Sequence, residues 1–198
     1  ARIAIEGFGN VGTHAAKFLH ERGAKIVAVS DLSGCIYKPG GLAIPELLEY
    51  RNRHPTIEGF LDGARRLPRE GLFGVEADVL IPGARPNAIH DANKDYVRAK
   101  LIVQAANIPI EHRIEKELEA QGIAMVPDIV ANAGGVISSY VEFVSGTEAR
   151  MFSLVKKTVT ENTRAVLTDS KSKGISAREA AFQIANARIE AAMRKKSA

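Results

Sequence analysis

The sequence predicts an α/β protein: a doubly wound, mostly parallel sheet followed by C-terminal helices. Three observations predict it. Apolar runs of strand length alternate with segments of helical period. The runs are Arg2–Glu6, Lys25–Ser30, Ala77–Ile81, Lys100–Gln104 and Ile123–Val126. Apart from Asp78, their interiors are continuously apolar, as in strands buried on both faces of a parallel sheet. From Ala131 onward only helical patterns remain. One domain over residues 1–198 is expected, with a helical part at 131–198.

Each element has a local reason. After the first run, Val11, Ala15, Phe18 and Leu19 fall on one face of a helix, which Gly23 closes. Leu32 to Gly41 reads as a turn-rich loop. Ile44 to Arg53 reads as a helix with Pro45 in its first turn. Residues 54–77 hold four glycines and Pro68 and show only short periodic pieces. Ala88 to Val97 is expected to be a short helix, and Glu111–Gln121 a further one stopped by Gly122. Ala133–Val144, Glu148–Lys173 and Ser176 to about Arg194 complete the helices. Met151, Val155, Val159 and Val166 line one face of the second. Ala181, Ile184, Ala185, Ile189 and Ala192 line one face of the last. Ser176 and Glu179 have the spacing of a capping box.

Composition narrows the function classes. With 45% hydrophobic and 25% charged residues over 198 positions, the chain has the make-up of an ordinary globular domain. No run of 18 apolar residues exists, so no membrane role is expected. A net charge of +4 is spread without a basic stripe and without Trp, which argues against nucleic acid. Cys35 stands alone, so no internal disulfide is available, and a reducing, cytoplasmic setting is expected. It reads as a small packed residue. The five histidines lack HExxH spacing and one cysteine cannot build a zinc site, so no metal is expected. The chain opens directly inside an apolar run. Termini are usually loose surface segments, so the expectation is that residues have been removed upstream.

The most informative motif is Gly7-Phe-Gly-Asn-Val-Gly12. It follows a strand, opens a helix, and is followed about 20 residues on by Asp31 at the end of the next strand. That is the context of a Rossmann-type dinucleotide site. Gly7 permits the tight turn, Gly9 lets a pyrophosphate approach the backbone, and Gly12 allows close helix–strand contact. The helix N-terminus favours phosphate. Asp31 can accept bonds from the ribose hydroxyls and would repel a 2′-phosphate. NAD is therefore favoured, with Ser33 and Lys38 leaving NADP possible. The other strand ends carry small residues and amides. Asn107 and Asn132 either hydrogen-bond ribose or carboxamide, or merely cap turns and helices.

Four segments together resemble the glutamate/leucine/phenylalanine/valine dehydrogenase family, most closely its glutamate-specific members. They are Gly7–Gly12, Ser30–Leu42, Gln104-Ala-Ala-Asn-Ile-Pro109 and Pro127–Glu142. Gln104-Ala105, Ile108, Ile110, Ile137 and Ser138 depart from the family's usual residues. The resemblance implies the cofactor-binding domain of an enzyme that oxidatively deaminates an amino acid to a 2-oxo acid. It implies that Phe8, Gly9, Asn10 and Val11 hold the pyrophosphate and Asp31 the adenosine ribose. Gly83 and Ala84 would line the adenosine side. Ala106, Asn107 and Asn132 would lie near the nicotinamide riboside. Ser139 would face the side-chain carboxylate of L-glutamate, or stand as an ordinary helix serine.

The family's catalytic lysines and acid lie in an N-terminal substrate domain, and no glycine-rich lysine segment of that kind occurs here. Asp128 and Glu142 have no lysine partner nearby in sequence. No catalytic residue is therefore assigned, and this chain alone is expected to be inactive. The complete protein is expected to form a homo-oligomer, and the isolated chain to self-associate weakly or to leave its last helix mobile. A stand-alone NAD-binding regulatory module, or the cofactor domain of a leucine, phenylalanine or valine dehydrogenase, are the alternatives.

Overall fold

A computed structural model describes residues 1–60 and 62–196. It contains strands β1 (Arg2–Glu6), β2 (Lys25–Asp31), β3 (Gly34–Tyr37), β4 (Arg65–Leu67), β5 (Val79–Pro82), β6 (Leu101–Val103) and β7 (Ala124–Val126). The helices are α1 (Asn10–Glu21), α2 (Ile44–Arg53), α3 (His112–Ala120), α4 (Asp128–Ala131), α5 (Gly134–Phe143), α6 (Glu148–Lys173) and α7 (Ala177–Lys196). The strands form one seven-stranded sheet in the order β4-β3-β2-β1-β5-β6-β7. β1 pairs in parallel with both β2 and β5, and β5 with β6. The chain thus winds outward from β1 on one side, then returns to start again on the other. Two compact units result, Ala1–Met125 and Val126–Ala198.

In the first unit both faces of the sheet are covered, which is why its strands read as unbroken apolar runs. Ile3, Ile5, Val29 and Ile81 pack with Phe8, Ala16, Leu47 and Ile57 on one face. Ala4, Leu80 and Ile102 pack with Leu72, Phe73, Ile114 and Leu118 on the other. α1 does not use the face its periodicity suggested. Its buried residues are Gly12 and Ala16, whereas Val11 and Phe18 are 52% and 43% exposed. The reason is closeness: a Cβ on Gly12 would lie 1.8 Å from the Gly7 carbonyl oxygen. The smallest residues make the contact and the larger ones fall to its margins.

Three other segments differ from the sequence reading. Within Leu32 to Gly41, β3 turns back antiparallel on β2 through Leu32-Ser33, because Cys35 and Ile36 join the core. Within 54–77, β4 adds an antiparallel edge, and a 3-10 turn over Arg69–Gly74 delivers Leu72 and Phe73 to the core. Ala88 to Val97 is not a helix; only Lys94–Tyr96 forms a 3-10 turn. The buried Asn93 carboxamide accepts from the His90 amide at 2.8 Å and donates to the Ala88 carbonyl at 3.0 Å. Such side-chain bonds compete with a helical ladder.

The second unit is helical, as expected, with the short α4 as an addition. Thr147 caps α6, accepting from the Arg150 amide at 3.3 Å, and Gly174 closes it at φ 64°. The capping box forms reciprocally: Glu179 donates its amide to Ser176 Oγ at 3.1 Å, and the Ser176 amide donates to Glu179 Oε2 at 3.2 Å. The apolar faces are only partly covered. Val166 is buried on α6, while Met151, Val155 and Val159 are half-buried. On α7 the burial runs through Ala177, Ala180 and Ala181, and Ile189 and Ala192 are exposed.

Candidate functional site

Where strand order reverses, the carboxyl ends of β1 and β5 diverge into a cleft of about 540 Å³. Ligands of doubly wound sheets bind at this position. The cleft brings together most of the residues picked from the sequence. Gly7, Gly9, Asn10, Val11 and Gly12 line it together with Asp31, Leu32, Gly83 and Ala84.

The glycines act as the motif requires. Gly7 has φ +92°, and a Cβ there would meet the Ala84 side chain at 2.6 Å, so glycine lets the two strand ends close. A Cβ on Gly9 would meet nothing within 4 Å. The backbone is open there to an approaching group. No side chain caps α1, which leaves its first-turn amides facing a place suited to anions. These features fit the phosphates of a dinucleotide.

Phe8 leaves only its backbone to the turn. Its side chain is 1% exposed and packs in the core, so it lines no part of the cleft. Its carbonyl accepts from Arg51 Nε at 3.3 Å. Asp31 is also more engaged than the sequence shows. Its Oδ1 accepts from the Ser33 amide and hydroxyl, and its Oδ2 from the Ile57 amide at 2.8 Å. A carboxylate has about four acceptor positions, so Asp31 keeps room for one more donor.

Several cleft residues carry no sequence signal. Arg51, Thr56, Arg69 and Arg85 reach it from distant segments. Glu6 organises two of them from below. At 1% exposure, its carboxylate accepts from the Gly83 amide at 3.2 Å, the Ala84 amide at 2.8 Å and Arg69 Nη2 at 3.2 Å. Arg85 Nε lies 3.9 Å away. A charged residue ending an otherwise apolar strand was the one available hint. Buried charges need this degree of pairing.

The remaining predicted positions lie outside the cleft. Ala106 and Asn107 sit in the turn after β6, half-buried and exposed respectively. Beside them Ile108 holds φ 47°, a left-handed conformation costly for a β-branched residue. Gln104 is wholly buried, donating to Glu115 on α3, so its departure from the family pattern serves the core. In the second unit Asn132 follows α4, half-buried, and Ser139 is exposed on α5. Asp128 is buried against Arg178 at 2.9 Å rather than against a lysine, and Glu142 is exposed. Cys35 is 2% exposed and burial pushes its thiol up to about 12, which fits a packed residue and not a nucleophile. Among the described residues no cluster suits a metal ion, and no helix is long and apolar enough to cross a membrane.

Fold and cleft together define a Rossmann-type α/β protein. The family model for Glutamate/Leucine/Phenylalanine/Valine dehydrogenase matches residues 1–197, and the chain belongs to that family. It is 38% identical to a glutamate dehydrogenase of Aeropyrum pernix, over 97% of this chain and 48% of the relative. It is 38% identical to a catabolic NAD-specific glutamate dehydrogenase of Bacillus subtilis, over 86% of this chain and 39% of the relative. With an NADP-specific glutamate dehydrogenase of Saccharolobus shibatae the identity is 39%, over 77% and 36%. Among solved structures, a hetero-hexameric glutamate dehydrogenase of Thermus thermophilus superposes with a TM-score of 0.86 at 29% identity, over 99% of this chain and 47% of that one. The chain thus spans about half the length of its relatives, or less.

Proposed function

We propose that this chain is the NAD(P)-binding part of an amino-acid dehydrogenase, with L-glutamate as substrate of the complete protein. The reaction would be oxidative deamination to 2-oxoglutarate and ammonia. The observation that carries this reading is the cleft at the strand reversal, where the dinucleotide turn, Asp31 and the Gly83–Ala84 turn meet. The glutamate dehydrogenases among the relatives favour the substrate.

In this reading the chain's residues bind and orient. The turn at Gly9–Gly12 and the N-terminus of α1 hold the pyrophosphate, and Asp31 accepts a ribose hydroxyl. Gly83 and Ala84 border the adenosine. Ala106, Asn107 and Asn132 serve the nicotinamide riboside, and Ser139 the substrate carboxylate. A bound nicotinamide would supply the hydride acceptor. The acid–base groups would come from a substrate domain outside these residues, and the complete protein would be a homo-oligomer.

Calorimetry on the 198-residue chain tests the reading. NAD should bind, and Asp31→Ala should weaken it about tenfold, the effect of one charged hydrogen bond. Absence of binding by both NAD and NADP would overturn the assignment. Mixing the chain with glutamate and NAD should give no absorbance of reduced cofactor, because among the described residues no lysine lines the cleft beside an acid to activate the amine.

A further inference from the structure

The adenosine end of the cleft holds a cation that the sequence did not place there. Arg51, near the end of α2, lines the same cleft as Asp31 and Thr56. Its Nε donates to the carbonyl of Phe8, in the dinucleotide turn, and its Nη1 to the carbonyl of His54 at 2.8 Å. Residues 54–57 are tied in turn to Asp31 through the Ile57 amide. Arg51 therefore bridges the phosphate-binding turn and the loop that holds the ribose acid. Both partners are neutral carbonyls, and no carboxylate among the described residues neutralises its charge. Arg69 and Arg85 differ: both are tied to Glu6, and Arg85 also to Glu70 at 2.6 Å.

Asp31 meanwhile has its charge dispersed over three donors. The carboxylate keeps its negative charge, so a 2′-phosphate beside it needs a cation to offset the repulsion, and the unneutralised Arg51 guanidinium lines the same cleft. Guanidinium groups suit phosphate, and an arginine near the ribose acid is the general means of accepting the extra phosphate. We infer that Arg51 is a specificity-determining residue that lets this cleft take dinucleotides bearing a 2′-phosphate, so that the chain binds NADP as well as NAD. The inference rests on the reading of the cleft as a dinucleotide site.

Calorimetry with two matched pairs of probes tests it: NADP against NAD, and 2′,5′-ADP against 5′-AMP. In the unaltered chain each phosphorylated ligand should bind within about tenfold of its partner. Arg51→Gln should lower the affinity for NADP and 2′,5′-ADP roughly tenfold more than for NAD and 5′-AMP, whose own loss reads the bracing of the two carbonyls. Arg51→Lys keeps the charge and should restore part of the loss. A thermal melt of each variant checks that the sheet unit is folded. Equal losses for both members of each pair would overturn the inference, since Arg51 would then only brace the two carbonyls. Binding of NAD with rejection of NADP by the unaltered chain would also overturn it, while leaving the dinucleotide site intact. Failure of all four ligands would remove the site itself.

Discussion

In the first unit Phe8, Phe73, Ile5 and Leu80 are almost wholly buried, whereas in the second Val136, Tyr140, Phe143 and Phe182 stand exposed. The contrast follows from architecture. A sheet covered on both faces gives every inward side chain a layer to enter. The helical unit buries mainly small residues, among them Val130, Val141, Ala177 and Ala180. Its order leans more on helix ends, through the Thr147 cap, the Ser176–Glu179 box and the Arg178–Asp128 pair. Val136, Tyr140 and Phe143 fall on one face of α5 at helical spacing, with Phe143 87% exposed. Packing dominates one unit and termination chemistry the other.

The largest test of this contrast pairs two phenylalanines. Phe73→Ala should destabilise by about 3–5 kcal/mol, through lost burial and the cavity left behind. Phe143→Ser should shift stability by no more than about 0.5 kcal/mol. Urea unfolding of both variants measures the difference, and similar losses would erase the distinction.

Two glycines sharpen it next. Gly12→Ala places a methyl against the Gly7 carbonyl. It should cost about 3 kcal/mol and weaken dinucleotide binding, since the helix must move off the turn. Gly135→Ala in the helical unit meets nothing within 4 Å. It should be neutral or stabilise by up to about 1 kcal/mol, by helix propensity. Thermal melts separate the two signs.

A further effect is confined to alkaline pH and is absent at neutral pH. The Cys35 thiol is pushed up to about 12 by burial, whereas the unfolded chain releases that proton near 9.0. The unfolded state then binds fewer protons, so stability falls as pH rises between these values, by up to ~1.4 kcal/mol per pH unit. Below pH 9.0 the contribution is fully present. Cys35→Ala should abolish this slope. At pH 8 a thiol reagent should label the unfolded chain and spare the folded one.

The strands and helices that carry continuous apolar runs or long periodicity were legible in the sequence. Glu148–Lys173 agrees to the residue. Motif and acid were legible too, because a turn, a helix start and the next strand's end are local patterns. What escaped depends on contacts made across the chain. Leu72 and Phe73 look like part of a loop until the sheet gives them a face to cover. Asn93 turns a helical pattern aside with side-chain bonds that periodicity does not register. Arg51, Arg69 and Arg85 enter the cleft from three separate segments, and nothing in their neighbours announces it. Phe8 sits inside the motif, yet its side chain answers to the core.

β1 lies at the middle of the sheet, between β2, which follows it closely in sequence, and β5, which comes some seventy residues later. The Arg2 amide donates to the Asp78 carboxylate across 76 residues of sequence. At about 5–20 residues per second of synthesis, that partner follows roughly 4–15 s later. Until then one edge of the strand is open, and the buried carboxylate of Glu6 lacks the Gly83 and Ala84 amides. The cleft is therefore a late product of folding in the cell. The nascent chain carries a waiting, aggregation-prone edge along β1, and chaperone capture of ribosome-bound chains should end once residue 84 has emerged.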